Sequence, residues 1–281
     1  MSNVPVLKAV RAAESFRRLH WRRVAGVLAL AAVGSTLAAG GALSQNMSVR
    51  VWGEVLNVLG SILGYTALLR LAFIDEHPDD PEFIPGPHGF QFGRPELRLL
   101  AVGALLVFVL ILAACLAFFL IMVVVAGAGL GALTADATPE SVAAAVGPGG
   151  QTAVGGLITA FIVGLLYFSV RICLAAPATV ARKQVTVFRT WPLTKGQFWP
   201  ILGASILIGL PALAAGVVVA LLTGILGADA NTPLSLPAGL AIGSVQGVVA
   251  GFILLPLNAG LGAYLYRGLR PAPEVDVFGE D

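Results

Sequence analysis

The residue types best suited to chemistry gather in one run, His77-Pro78-Asp79-Asp80-Pro81-Glu82, preceded by Asp75-Glu76 and followed by His88. Carboxylates and imidazoles together can bind a divalent metal. Here the prolines break any helix, so no regular ligand face forms, and no cysteine joins the group. A solvated acidic loop is therefore expected, ahead of a metal site or a docking site for a basic partner. The three histidines are His20, His77 and His88. No Gly-x-Ser-x-Gly elbow, phosphate-cradling loop or His-Glu-x-x-His pair occurs. The expectation is a non-enzymatic protein with no catalytic, cofactor-binding or metal-binding residues.

Polar residues elsewhere are sparse. Pro211, Gln246 and Asn258 lie in long apolar stretches and are the candidates for lining a cavity at mid-depth; interhelical hydrogen bonds are the competing role. Proline-interrupted helices can build substrate sites in membrane carriers. No Asp or Glu falls inside an apolar stretch except near its ends, which argues against a proton-coupled carrier. Arg70 and Arg171 lie near stretch ends, where long basic side chains can snorkel to water.

The sharpest spacing is Gly239, Gly243, Gly247 and Gly251, four glycines at intervals of four. Small residues so spaced make a flat stripe on which a second helix approaches closely. An intramolecular helix contact, a homodimer face or a groove for a lipid tail would each use it.

The elements that position these residues follow from composition. Of 281 residues, 57% are hydrophobic and 11% charged, against roughly 25% charged in a soluble domain. Six apolar stretches are long enough to cross about 30 Å of hydrocarbon: Val24–Leu43, Val55–Phe73, Leu99–Leu130, Thr152–Val170, Ile201–Leu226 and Ala238–Tyr266. Of the 17 Lys and Arg residues, Arg50 alone lies in the gaps on one side. The positive-inside bias then predicts an all-α polytopic protein of a bacterial inner membrane, with six transmembrane helices and both termini cytoplasmic. Trp21, Trp52, Trp191 and Trp199 each precede an apolar stretch, where an indole suits the headgroup layer. The stretch Val24–Leu43 is too long for a signal core and is read as a retained helix. Cys115 and Cys173 both fall in apolar stretches and are read as small buried hydrophobes. The basic residues are too dispersed for a nucleic-acid interface.

Outside the spans, residues 1–23 form a basic segment, either a helix lying on anionic lipid or a disordered leader. Residues 74–98 and 171–199 form inner-face loops, and 268–281 a cytoplasmic tail. In the outer loop Thr134–Gln151, Thr138-Pro139 reads as a helix start and Gly147-Pro148 as its stop. The openings Arg94–Ala104 and Thr194–Ala204 resemble each other as a weak internal repeat. Val180, Gln184, Val187, Phe188 and Trp191 fall at helical spacing. They predict an amphipathic helix on the inner leaflet, with Arg182, Lys183, Arg189, Trp191 and Trp199 at the lipid interface.

The run Arg171-Ile172-Cys173-Leu174-Ala175-Ala176-Pro177-Ala178-Thr179-Val180-Ala181, leading into Phe188-Arg189-Thr190-Trp191-Pro192-Leu193-Thr194-Lys195-Gly196-Gln197-Phe198-Trp199, resembles a stretch of uncharacterised bacterial multi-pass inner-membrane proteins. It is similar to the membrane domain fused to some glycerophosphodiester phosphodiesterases. That resemblance covers about thirty residues and implies a helical membrane domain. The catalytic barrel of those enzymes has no counterpart, so no activity is implied. The expected function is a scaffold, accessory subunit or membrane-organising module, with a transporter or channel for lipids or small neutral solutes as the rival. Expected partners are anionic membrane lipids and a second copy or another membrane protein.

Overall fold

The computed structural model describes residues 5–127, 139–227 and 232–270, and of residues 139–146 the backbone course alone. The described residues contain helices, turns and no strand, and six helical segments are long and apolar enough to cross a membrane. The order is α1 (Val6–His20), α2 (Ala25–Leu43), α3 (Met47–Phe73), α4 (Arg94–Gly127), α5 (Pro139–Ile172), α6 (Ala175–Ala181), α7 (Phe198–Ile225), α8 (Leu236–Val248) and α9 (Leu255–Leu269). A π-helical segment, Val249–Leu254, joins the last two into one span. Thr138, the expected cap, and the tail beyond residue 270 lie outside the described residues.

The chain divides into two compact units, Met1–Ala101 with Ile172–Asp281, and Val102–Arg171. In the first unit α2 is the central helix, and small residues on two of its faces set its partners. Toward α3 the close approaches use Ala31, Gly34, Ala38 and Gly41 against Arg50, Gly53, Asn57 and Gly60. That spacing of three and four belongs to helix crossings near +20°. Toward α8 they use Leu28, Ala32, Thr36 and Gly40 against Gly251, Gly247, Gly243 and Gly239. Intervals of four on both helices belong to a steeper crossing of opposite hand, about −50°. A Cβ on Gly243 would lie 2.8 Å from the Gly40 nitrogen, and one on Gly251 2.7 Å from the Leu28 oxygen. The glycine stripe is thus covered within the chain, which removes it as a free homodimer face. The one hydroxyl in this seam, Thr36 Oγ1, donates to the Ala32 carbonyl at 2.8 Å and so leaves no unsatisfied group.

Near the start of α2 these helices close over a cluster of Val24, Val27, Leu28, Ala67, Leu68, Leu71 and Ala259. Trp21 packs into it edge-on to Phe252, at 6.4 Å between centroids. Trp52 and Trp199 are exposed, at 67% and 76%. The N-terminal segment is a helix, but its small residues Ala9 and Ala13 are fully buried, and Gly260 of α9 receives Ala13 and Phe16. The inner face of α1 is thus packed against α9. The π-helical segment stands just before Pro256, whose ring would clash with the carbonyl four residues back in a regular helix. A wider turn there is the usual accommodation.

The second unit holds most of α4 and α5, and its side chains are largely exposed, as at Val107 (55%) and Phe118 (65%). Gly147 interrupts α5 at φ 65° and ψ 172°, a conformation open to glycine, where the sequence placed a helix stop.

The amphipathic helix expected over residues 180–191 does not form. α6 ends at Ala181, Lys183 adopts φ 55°, and a separate 3-10 turn runs from Phe188 to Thr194. The physical reason is side-chain competition with the backbone. Thr179 Oγ1 accepts from the Thr186 amide at 3.0 Å and donates to the Thr186 carbonyl, stapling the loop shut.

Candidate functional site: a polar cavity beside the α2–α3 turn

The turn between α2 and α3 is tight. Gln45 takes φ 52°, and the Asn46 side chain accepts from the Val49 amide at 3.1 Å, capping α3. With its start fixed there, α3 places Arg50, Glu54 and Asn57 one turn apart along one flank. The opposing flank of α2 offers Ser35, Ala38, Ala39 and Ala42, with Leu43 at its end. Glycines bring the two backbones together while alanines leave the space beside them unfilled. The result is a cavity of about 340 Å³, completed by Val219 of α7 and Gln246 of α8.

The polar side chains of this cavity are largely uncommitted. Those of Arg50, Glu54 and Gln246 make no hydrogen bond or ion pair among the described residues. Asn57 receives only a long contact of 3.4 Å from Ser61 Oγ. A guanidinium, a carboxylate and two carboxamides therefore face one space with donors and acceptors to spare. Such a set can hold an anion on Arg50 and a cation on Glu54 at once.

Of the three residues expected to share a cavity, Gln246 lines this one and the others do not. Pro211 sits half-buried within α7. Asn258 is exposed and donates from Nδ2 to the Leu254 carbonyl at 2.9 Å, satisfying its own helix. The three occupy different helix faces, so mid-depth position alone did not bring them together. Arg50 was read only for its charge and Glu54 not as a lining residue, because hydropathy started the second span at Val55, which left both in an outer loop. Asn46, a helix-capping residue three before Val49, was the available signal.

At the opposite end of the first unit, several charged residues pair with one another. Arg70 does not snorkel. Its side chain is 1% exposed, and its Nη2 meets Glu96 Oε2 at 2.7 Å, with the Gly93 amide donating to the same oxygen at 2.8 Å. Arg267 Nε meets Glu76 Oε1 at 2.7 Å, and Arg270 binds the other oxygen of Glu76. Arg98 pairs with Glu82 at 3.1 Å, and Lys183 with Asp80. Lys183, with the Glu82 amide assisting, holds the Asp80 carboxyl below its usual range. Three carboxylates of the acidic loop, Glu76, Asp80 and Glu82, thus act as a latch on cations near helix ends. Its His77 ring stacks on Phe83 at 4.5 Å. Among the described residues no three His, Cys, Asp or Glu side chains assemble around a common point for a metal.

Of the expected lipid-interface residues, Lys183 is committed to Asp80, and Arg182 Nε donates to the Tyr266 hydroxyl at 3.0 Å. Arg189 and Trp199 are exposed, and Trp191 is half-buried.

Six helical spans long and apolar enough to cross a membrane, with tight small-residue seams joining α2 to α3 and α8, define a multi-pass helical membrane protein. Comparison of the chain with known protein families, curated proteins and solved structures finds no match.

Proposed function

We propose that this protein is a non-enzymatic binder or carrier of a polar molecule that is neutral overall, a small solute or a lipid headgroup, received in the cavity beside the α2–α3 turn. One observation carries this: Arg50 and Glu54 present opposite charges, unpaired with each other or any neighbour, to the same 340 Å³ space. Ionisable side chains on a membrane helix are costly and mark functional positions. A zwitterion satisfies both without importing net charge. The positive-inside rule puts this cavity toward the outer face of a bacterial inner membrane, and the latched end with both termini toward the cytoplasm.

Binding of glycerophosphoethanolamine, a phosphodiester whose ammonium leaves it neutral overall, and of the same headgroup in phosphatidylethanolamine nanodiscs, tests the proposal. Both Arg50→Gln and Glu54→Gln should weaken binding roughly tenfold or more, because each removes a charge-assisted contact. Gly216→Leu, on an open face of α7, should leave it unchanged. Binding by neither probe, or equal binding by all variants, overturns the proposal.

The exposed apolar side chains of the second unit favour another reading, a scaffold or accessory subunit acting through α4 and α5. The glycine stripe no longer supports it, being occupied within the chain. A defined oligomer or a stoichiometric protein partner in native mass spectra, lost on placing charges along α4, is what that reading requires.

A further inference from the structure

A second cavity, of about 250 Å³, lies between α1, the end of α3 and α9. Its polar lining includes His20, Arg23, Asp75, Tyr264 and Arg267, and its apolar wall includes Phe16. The His20 ring stands in the wall, held by Phe16 at 4.6 Å between centroids, with its Nδ1 enclosed by protein and without a hydrogen-bond partner. The Arg23 guanidinium and the Tyr264 hydroxyl also make no hydrogen bond or ion pair among the described residues. Arg267 is different, since Glu76 and the Ala72 carbonyl already hold it.

From this arrangement we infer a binding site for one phosphodiester headgroup of a membrane lipid, independent of the zwitterion site proposed above. Two uncommitted groups, the guanidinium of Arg23 and the hydroxyl of Tyr264, can each donate to phosphate oxygens, beside the His20 imidazole in the same wall. Charge selects the kind of phosphate. With the Glu76 that holds Arg267 and the Arg270 that shares Glu76 included, Arg23, Arg267 and Arg270 against Asp75 and Glu76 sum to +1 (3 − 2) with His20 neutral, which suits a singly charged diester better than a doubly charged monoester. The wall selects the source. Phe16, Leu71 and Ile74 offer apolar surface that glycerol and the first acyl methylenes can cover and that inorganic phosphate cannot.

The test is native mass spectrometry of the full chain released from nanodiscs made of phosphatidylglycerol and phosphatidylcholine in equal parts. One phosphatidylglycerol should remain bound. Arg23→Gln should reduce its retention roughly tenfold, and Tyr264→Phe should reduce it less. Arg11→Gln, an exposed basic position on α1 outside the cavity lining, should leave retention unchanged. Thermal unfolding of each variant separates loss of the site from loss of the fold. Equal loss from Arg23→Gln and Arg11→Gln would mean diffuse attraction to anionic lipid and overturns the site. So does inorganic phosphate displacing the lipid at matched concentration, or preference for phosphatidic acid as a dianion. Failure here leaves the Arg50–Glu54 cavity untouched, because none of these variants lines it.

Discussion

Arg70 on α3 and Glu96 in the first turn of α4 form an ion pair 2.7 Å long, each side chain 1% exposed, across 26 residues of sequence. Removing two charges from water is expensive, and the attraction recovers that cost only while both partners remain. Arg70 Nε and Nη1 are buried without partners, so the pair has little in reserve. Glu96→Gln should therefore destabilise the protein by about 3–5 kcal/mol, by stranding a buried guanidinium. The double change Arg70→Met with Glu96→Leu should cost less than either single change. Unfolding in mixed micelles measures all of these, and a double change that costs the sum of the two single changes would deny the coupling.

The α2–α8 seam makes a prediction about volume. Gly243→Ala puts a methyl 2.8 Å from the Gly40 nitrogen, against backbone that cannot rotate away. Overpacking of that kind costs about 1–3 kcal/mol. Gly247→Leu should prevent the seam from closing. Gly216→Ala meets nothing within 4 Å and should be neutral or slightly stabilising. Melting temperatures of the three variants in one detergent rank them.

Asp80 makes the prediction about pH. Its carboxyl titrates below its ordinary value of 3.8 because Lys183 bonds to the charged form. A carboxylate with a depressed folded-state value contributes stability above its unfolded value, and loses it as pH falls through the folded one. The latch between the acidic loop and the α6 turn should accordingly loosen only in strong acid, below pH 3.8. Amide exchange in residues 77–84 should accelerate there in the wild type. In Asp80→Asn it should already be fast at neutral pH.

Tyr266 tests the α6–α9 contact. It is 3% exposed, stands edge-on to Phe73 at 5.9 Å and accepts from Arg182 Nε through its hydroxyl. Tyr266→Phe keeps the ring packing and deletes only the hydrogen bond. The expected loss is about 1.5–3 kcal/mol, the range for a bond to a charged group, read by chemical denaturation.

The six spans were legible because a membrane helix announces itself through length and apolarity, which need no partner to detect. The glycine stripe on α8 was legible for the same reason, as a periodicity within one segment. Its counterpart at Leu28, Ala32, Thr36 and Gly40 has the same interval of four, but Thr36 and Leu28 interrupt a pattern sought only in glycine. The Arg70–Glu96 pair had no local signature at all, since only the fold brings the two together. The cavity was half legible. Gln246 stood out as a polar residue in an apolar run. Arg50 and Glu54 were hidden by the same polarity that makes them useful, because it lowered the hydropathy of the first turns of α3. The loop at 182–194 shows the opposite error, helical spacing without a helix, because Thr179 supplied a stronger local bond.

The two-faced packing of α2 has a consequence for how the chain is made. Its α3 partner follows within a few residues, so one face is covered almost as soon as it is synthesised. The face bearing Ala32, Thr36 and Gly40 waits for Gly239 to Gly251, some two hundred residues later. At 5–20 residues per second that interval is roughly 10–40 s. Throughout it, a groove shaped for a helix stands open in the bilayer while α4, α5 and α7 are inserted past it. Biogenesis of this protein thus contains a built-in delay, during which the insertion machinery or a passing lipid must keep the wrong helix out of the α2 groove.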